Sequence, residues 1–121
     1  INPLLLQIDR AIDWATQIDL IEQGDPMRQH EKIAEEVAEL GEALLNHKIN
    51  AGFSYESGSK LKLDLFTEFG DVLVTLIVLA QQERIDMSTA LDYANNKNFK
   101  RIGSGKIVAG CYVKKGDPGN E

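Results

Sequence analysis

The stretch from Lys60 to Arg84 constrains the fold more than any other part of this chain. Leu61, Leu65, Phe66, Phe69 and Val72 recur at the spacing of one helical face. From Val72 the pattern becomes apolar almost all round, as a nine-residue run to Ala80 that contains only Thr75 as a polar residue. A helix apolar on every side must be covered on every side, so this segment predicts a central position in a bundle. Val72, Val74, Ile77 and Val78 are β-branched, and taken alone the run also reads as a buried strand. The unbroken helical pattern before it favours a helix. Nine residues fall far short of the ~20 that a membrane-spanning helix needs.

Three further helices carry their own start signals. Asn2-Pro3 supplies an N-cap and a helix-compatible proline, and Leu5, Ile8, Ile12, Ala15 and Ile18 continue at helical spacing until Gly24. Asp25-Pro26 repeats the device, followed by a stripe of Met27, Ile33, Val37, Leu40 and Leu44, with an expected end near Lys48. A last helix is expected from Asp86 or Ser88 to Ile102, closed by Gly103. Ile49–Ser59, with Gly52, Gly58, three serines and two aromatics, reads as a loop of about ten residues. In the tail, Lys106–Lys115 fits a short β arm and Lys115–Glu121 a frayed end. The expected architecture is therefore all-α: a four-helix bundle over 1–103, with a short irregular or β-arm C-terminal tail over 104–121.

The chain has 121 residues, enough for one domain with a modest core. Its net charge of -6 opposes binding to duplex nucleic acid, and no basic, aromatic-rich stripe offsets that charge. The single cysteine, Cys111, excludes an internal disulfide and a cysteine-based zinc site. Ile1–Asp9 lacks a basic n-region and a cleavage signal, so it does not read as a signal peptide. The expectation is a cytoplasmic protein with no nucleic-acid or membrane partner.

Two acidic clusters on successive helices carry the chemistry. One helix bears Glu35-Glu36-Val37-Ala38-Glu39 and the next bears Glu68-Phe69-Gly70-Asp71. Glu36 and Glu39 share a face, as do Glu35 and Glu39, and Glu68 and Asp71. Like charges stacked in this way destabilise a helix by tenths of a kcal/mol per pair. Carboxylate oxygens are the preferred ligands of hard cations such as Mg²⁺, and helical bundles build metal sites from inward acids at this spacing. Glu68 and Asp71 also adjoin the most apolar run, where partly buried acids are costly without a cation. Gly70 costs about 1 kcal/mol in a helix interior relative to Ala, so close packing of a neighbouring helix or a substrate would account for it. Solvated acidic faces with cationic partners on neighbouring helices are the plain alternative.

The pattern Glu35-Glu36-x-x-Glu39, then 28 residues, then Glu68-x-x-Asp71 resembles the signature of the all-α nucleoside triphosphate pyrophosphohydrolases. That superfamily includes MazG, dimeric dUTPases and phosphoribosyl-ATP pyrophosphohydrolase, and the particular likeness is to short, single-domain MazG-like proteins. Gln29-x-x-Lys32-x-x-Glu35-Glu36 looks like the lead-in to the first motif. Asn95-x-Lys97-x-x-x-Arg101 looks like a later basic motif. The resemblance covers about Gln29 to Arg101, and the tail after Gly103 does not map onto it.

The resemblance implies a bundle completed as a homodimer or homotetramer. It implies hydrolysis of a (deoxy)nucleoside triphosphate to the monophosphate and pyrophosphate, in the manner of nucleotide-pool house-cleaning. Glu36, Glu39, Glu68 and Asp71 become the expected ligands of Mg²⁺, with Mn²⁺ as a substitute. Glu35 is either a further ligand or the base that orients water. Lys97 and Arg101, spaced i,i+4, are candidates for the β and γ phosphates, with Lys100 or Lys32 assisting; cations favoured by a helix C-terminus are the alternative. Asn95 is a candidate for a sugar or phosphate contact. A base needs an apolar slot with a few polar groups. Trp14, with Gln17 beside it, is the candidate to stack on the base; a half-buried core tryptophan is the alternative. Phosphoribosyl-ATP pyrophosphohydrolase is the competing enzyme, and a non-catalytic helical oligomeric binding module the competing class.

Overall fold

The computed structural model describes residues 2–121. These form two compact units, one reaching to Ile85 and one running from Asp86 onward. The first unit holds α1 (Pro3–Gln17), α2 (Leu20–Gln23), α3 (Pro26–Asn50) and α4 (Tyr55–Gln82). The second holds α5 (Met87–Lys100), β1 (Lys106–Val108) and β2 (Cys111–Val113). None of the described helices is long and apolar enough to cross a membrane.

The two Asx-Pro signals act as caps. The Asn2 side chain accepts from Leu4 N–H at 2.9 Å, and Asp25 accepts from Met27 N–H at 3.0 Å. Each satisfies one of the amide groups left over at a helix start. The first expected helix, however, is two. Asp19 takes a left-handed φ of 62° and starts the four-residue α2, so the described residues hold five helices where the spacing predicts four. Asp is among the few residues that tolerate this conformation.

The expected loop at Ile49–Ser59 is mostly helical, which corrects the sequence reading. α3 continues to Asn50 and α4 begins at Tyr55. The Ser54 hydroxyl accepts from Ser57 N–H at 3.0 Å, and Glu56 adds a favourable acid in the first turn. The serines that suggested a loop include the cap of a helix.

α3 and α4 run antiparallel and pack along their length, with α1 and α2 laid against α4. Gln29 on α3 donates to the Thr75 carbonyl on α4 at 3.0 Å in the buried interior. Two turns further along α3, Glu36 reaches Glu68, seven residues back along α4. The Gln82 side chain ties the other end of α4 to the Leu20 carbonyl at 3.2 Å. Among the described residues, Ala15, Val78 and Ala80 are the buried apolar residues. The last two lie in the run predicted to be central. Its other side is open: Leu73 and Leu76 are nearly half exposed. Leu73 belongs to a groove of about 590 Å³ lined also by Leu40, Leu44, Leu65, Phe66, Phe69 and Gly70. Among the described residues, nothing lies within 4 Å of the position a Cβ would take at Gly70.

In the second unit, β1 and β2 pair antiparallel, joined through Ala109 and Gly110. Both joining residues have positive φ, as a two-residue hairpin turn requires. The chain end is tied down and not frayed, which corrects the expectation for Lys115–Glu121. The Asn120 amide donates to the Ser104 and Val113 carbonyls, and Gly116 N–H donates to the Asn120 carbonyl.

Candidate metal centre

The antiparallel register of α3 and α4 brings three carboxylates to one place. One oxygen from each of Glu36, Glu39 and Glu68 lies within 4.8 Å of the others. Glu36 is 7% exposed and Glu68 half-buried, while Glu39 is open to solvent. The helical period explains the gradient. Gln29 and Glu36 are seven residues apart, so both fall on the buried α4-facing stripe of α3. Glu39 is one turn further on, at the edge of that stripe.

The electrostatics are unfavourable without a cation. Glu36 beside Glu39 holds the Glu39 carboxyl above its ordinary range through charge repulsion, with Glu68 adding to the effect. The balancing cation within the protein is Lys32. Its ammonium lies 3.1 Å from Glu36 Oε1 and 3.6 Å from Glu35 Oε2. The hydrogen bond to Glu36 and that residue's charge hold Lys32 in its charged form to higher pH than usual. One oxygen of Glu36 is thereby engaged.

The other oxygens of the two buried acids are not. Glu36 Oε2 and Glu68 Oε2 are both shielded from solvent and have no hydrogen-bond partner among the described residues. Buried polar atoms in folded proteins are overwhelmingly paired, because an unpaired one costs about 1–3 kcal/mol and a charged one more. Two orphaned carboxylate oxygens in the same cluster fit a hard divalent cation held by oxygen donors.

The remaining members of the expected set lie around this cluster. Glu35 is outside it, on a neighbouring cleft that also includes Asp25, Arg28, Gln29 and Lys32. Asp71 is exposed, and lines a different cleft of about 410 Å³ with Trp14, Val74 and Arg10. Trp14 is 49% exposed, neither a core tryptophan nor a fully solvated one. Gln17 donates to Asp13 at 3.0 Å. Asn95, Lys97, Lys100 and Arg101 belong to the second unit, on α5 and at its C-cap. There the Arg101 carbonyl accepts from the Tyr112 hydroxyl and the Ser104 hydroxyl.

Sequence reasoning missed two features. The sequence marks Gln29 only as part of a motif lead-in, yet its buried bond to Thr75 ties α3 to α4 two turns from Glu36 and Glu68. The signal was its place seven residues before Glu36. Arg10, four residues before Trp14, shares the Asp71 cleft. The helical spacing places it on the tryptophan's face.

An antiparallel helix pair with a partly buried cluster of three carboxylates, balanced by one lysine, defines a helical protein with a candidate divalent-metal centre. The family model of the MazG nucleotide pyrophosphohydrolase domain matches residues 25–103, which span α3, α4 and α5. The chain belongs to that family. No curated protein and no solved structure shows significant similarity to it.

Proposed function

We propose that this protein is a Mg²⁺-dependent nucleoside triphosphate pyrophosphohydrolase that converts a (deoxy)nucleoside triphosphate and water to the monophosphate and pyrophosphate. The observation that carries the reading is the pair of unpartnered carboxylate oxygens, Glu36 Oε2 and Glu68 Oε2, inside a three-glutamate cluster. Family membership supplies the reaction class.

In this reading Glu36, Glu39 and Glu68 hold the divalent cation, and Asp71 extends the set toward the Trp14 cleft. A bound divalent ion lowers the pKa of water and offsets charge that develops on the phosphates. The residues of the chain do the rest. Glu35, tethered by Lys32 outside the cluster, orients the attacking water and takes its proton. A new P–O bond forms to the water oxygen as the α–β anhydride breaks, and the pyrophosphate oxygen carries away the released electron pair. Trp14, with Gln17 nearby, covers the base. Lys97, Lys100, Arg101 and Asn95 serve the phosphates and sugar from the 1–103 helical domain, to which 104–121 adds an arm. The apolar groove at Phe66, Phe69 and Leu73 supports assembly as a homodimer or a dimer of dimers. Clearing unwanted nucleotides is the physiological role that this chemistry suits, in the cytoplasm.

The test is incubation with Mg²⁺ and a panel of ordinary and modified nucleoside triphosphates plus phosphoribosyl-ATP, with the products identified. Monophosphate and pyrophosphate, abolished by EDTA and by Glu68→Gln, are expected. Turnover of phosphoribosyl-ATP alone would reassign the substrate. No turnover of any member would leave a helical binding module.

A further inference from the structure

Gln7, Arg10, Ala11 and Trp14 form one face of α1, and across a cleft of about 410 Å³ they meet Asp71 and Val74 of α4. Two of these residues carry opposite charge. Yet among the described residues neither Arg10 nor Asp71 forms an ion pair. A cation and an anion that share a cleft without closing on each other leave room for a third body between them. A phosphate group has the right character for the Arg10 side of such a cleft, since its oxygens are acceptors for guanidinium donors.

The wall is also prepared. The Arg10 Nη1 donates to Gln7 Oε1 at 3.0 Å, which leaves most of the five guanidinium donors free for a ligand. A fork already held by a neighbour loses less freedom on binding an oxyanion. One turn further on, the half-exposed Trp14 indole has Ala11 and Val74 as apolar neighbours in the cleft. Aromatic side chains on such a surface stack on bases of any sequence. The volume lies within the range of small-molecule pockets. Two other basic residues of this unit are already engaged: Lys32 with Glu36, and Arg28 with Glu31 at 3.2 Å.

We propose that Arg10 is a substrate-binding residue: its guanidinium takes a phosphate oxygen of the nucleotide whose base stacks on Trp14, and Gln7 is the positioning residue that holds it. This rests on the nucleotide-hydrolase reading above, but it fails separately from it.

Trp14 is the only tryptophan, so its fluorescence reports binding without turnover. The full chain with Mg²⁺ is titrated with deoxynucleosides and with their 5′-monophosphates, which are products and are not consumed. In the wild type, monophosphates quench Trp14 at concentrations at least about tenfold lower than the matching nucleosides. Arg10→Ala removes that advantage, weakening monophosphates about 10- to 100-fold while nucleosides bind as before, in line with a charge-assisted hydrogen bond. Arg10→Lys restores part of it, and Gln7→Ala produces a smaller loss confined to monophosphates. Arg10 is exposed, so an unchanged melting curve shows that the variant is folded. A monophosphate-to-nucleoside ratio unaltered by Arg10→Ala, or no quenching by any nucleotide, overturns the proposal. Arg10-dependent quenching without hydrolysis would sink the enzyme reading and keep the subsite. Hydrolysis with a KM indifferent to Arg10 would do the reverse.

Discussion

Glu68→Gln should change the sign of its effect on stability when Mg²⁺ is added. The carboxylates of Glu36 and Glu68 lie within 4.8 Å, and one oxygen of each is buried without a partner. At an effective dielectric of about 20, two charges at that separation repel by about 3.5 kcal/mol. Lys32, 3.1 Å from Glu36, and mobile counterions offset most of this, leaving about 1 kcal/mol as a realistic net penalty. In EDTA the variant should therefore be more stable than the wild type by about 1 kcal/mol, or about 4 °C in Tm. A ligand at 100 times its Kd stabilises the folded state by about 2.7 kcal/mol. Loss of a direct ligand should weaken the ion at least about tenfold, since even second-layer partners cost that much. At the same Mg²⁺ concentration the variant then gains only about 1.4 kcal/mol, so its advantage is cancelled or reversed. Urea melts of both proteins, in EDTA and in Mg²⁺, measure all four stabilities. A variant that is less stable in EDTA, or one that Mg²⁺ stabilises as much as the wild type, would refute the reasoning.

Other consequences can be checked with the same melts. Gln29→Ala removes the buried bond to the Thr75 carbonyl, which keeps its helical partner, and should cost about 0.5–1.5 kcal/mol, with metal affinity falling as the α3–α4 packing loosens. Gly70→Ala should raise the stability of the dilute, single chain by about 1 kcal/mol, because the added methyl meets open space. A loss instead would mean that a second molecule packs there. The raised Glu39 carboxyl favours the protonated form in the folded protein, so its contribution is fully present below its ordinary value of 4.5 and is lost as pH rises through the raised value. Metal-free stability should accordingly increase on acidification toward that range, with Glu39→Gln flattening the slope.

Local signals were legible where one residue type does one job. Asn2-Pro3 and Asp25-Pro26 mark two helix starts because the capping atom and the fixed φ are both written in the sequence. The acidic spacing gave Glu36, Glu39 and Glu68 as neighbours once α3 and α4 were taken to pack. What remained hidden depends on competition between local and tertiary terms. The break before α2 needs a left-handed Asp19, which costs little and leaves no apolar signature. Ser54–Ser59 looked like a loop because the residues that cap a helix also populate turns. The register that buries Glu36 and Glu68 while leaving Asp71 exposed is set partly by Gln29 and Thr75, a side-chain-to-backbone bond across 46 residues. No periodicity in either helix reveals it. The same register puts Asp71 beside Arg10 and Trp14 instead of beside the three glutamates.

The central claim is that the α3–α4 carboxylates form a divalent-metal site, and Mn²⁺ titration followed by electron paramagnetic resonance tests it most directly. Free Mn²⁺ signal should disappear as wild-type protein binds the ion and return on adding Mg²⁺ in excess. Binding should be lost in Glu36→Gln and Glu68→Gln but retained in a control at the exposed acid Glu22. Equal Mn²⁺ binding by the wild type and both variants, or no binding by the wild type, would contradict the account.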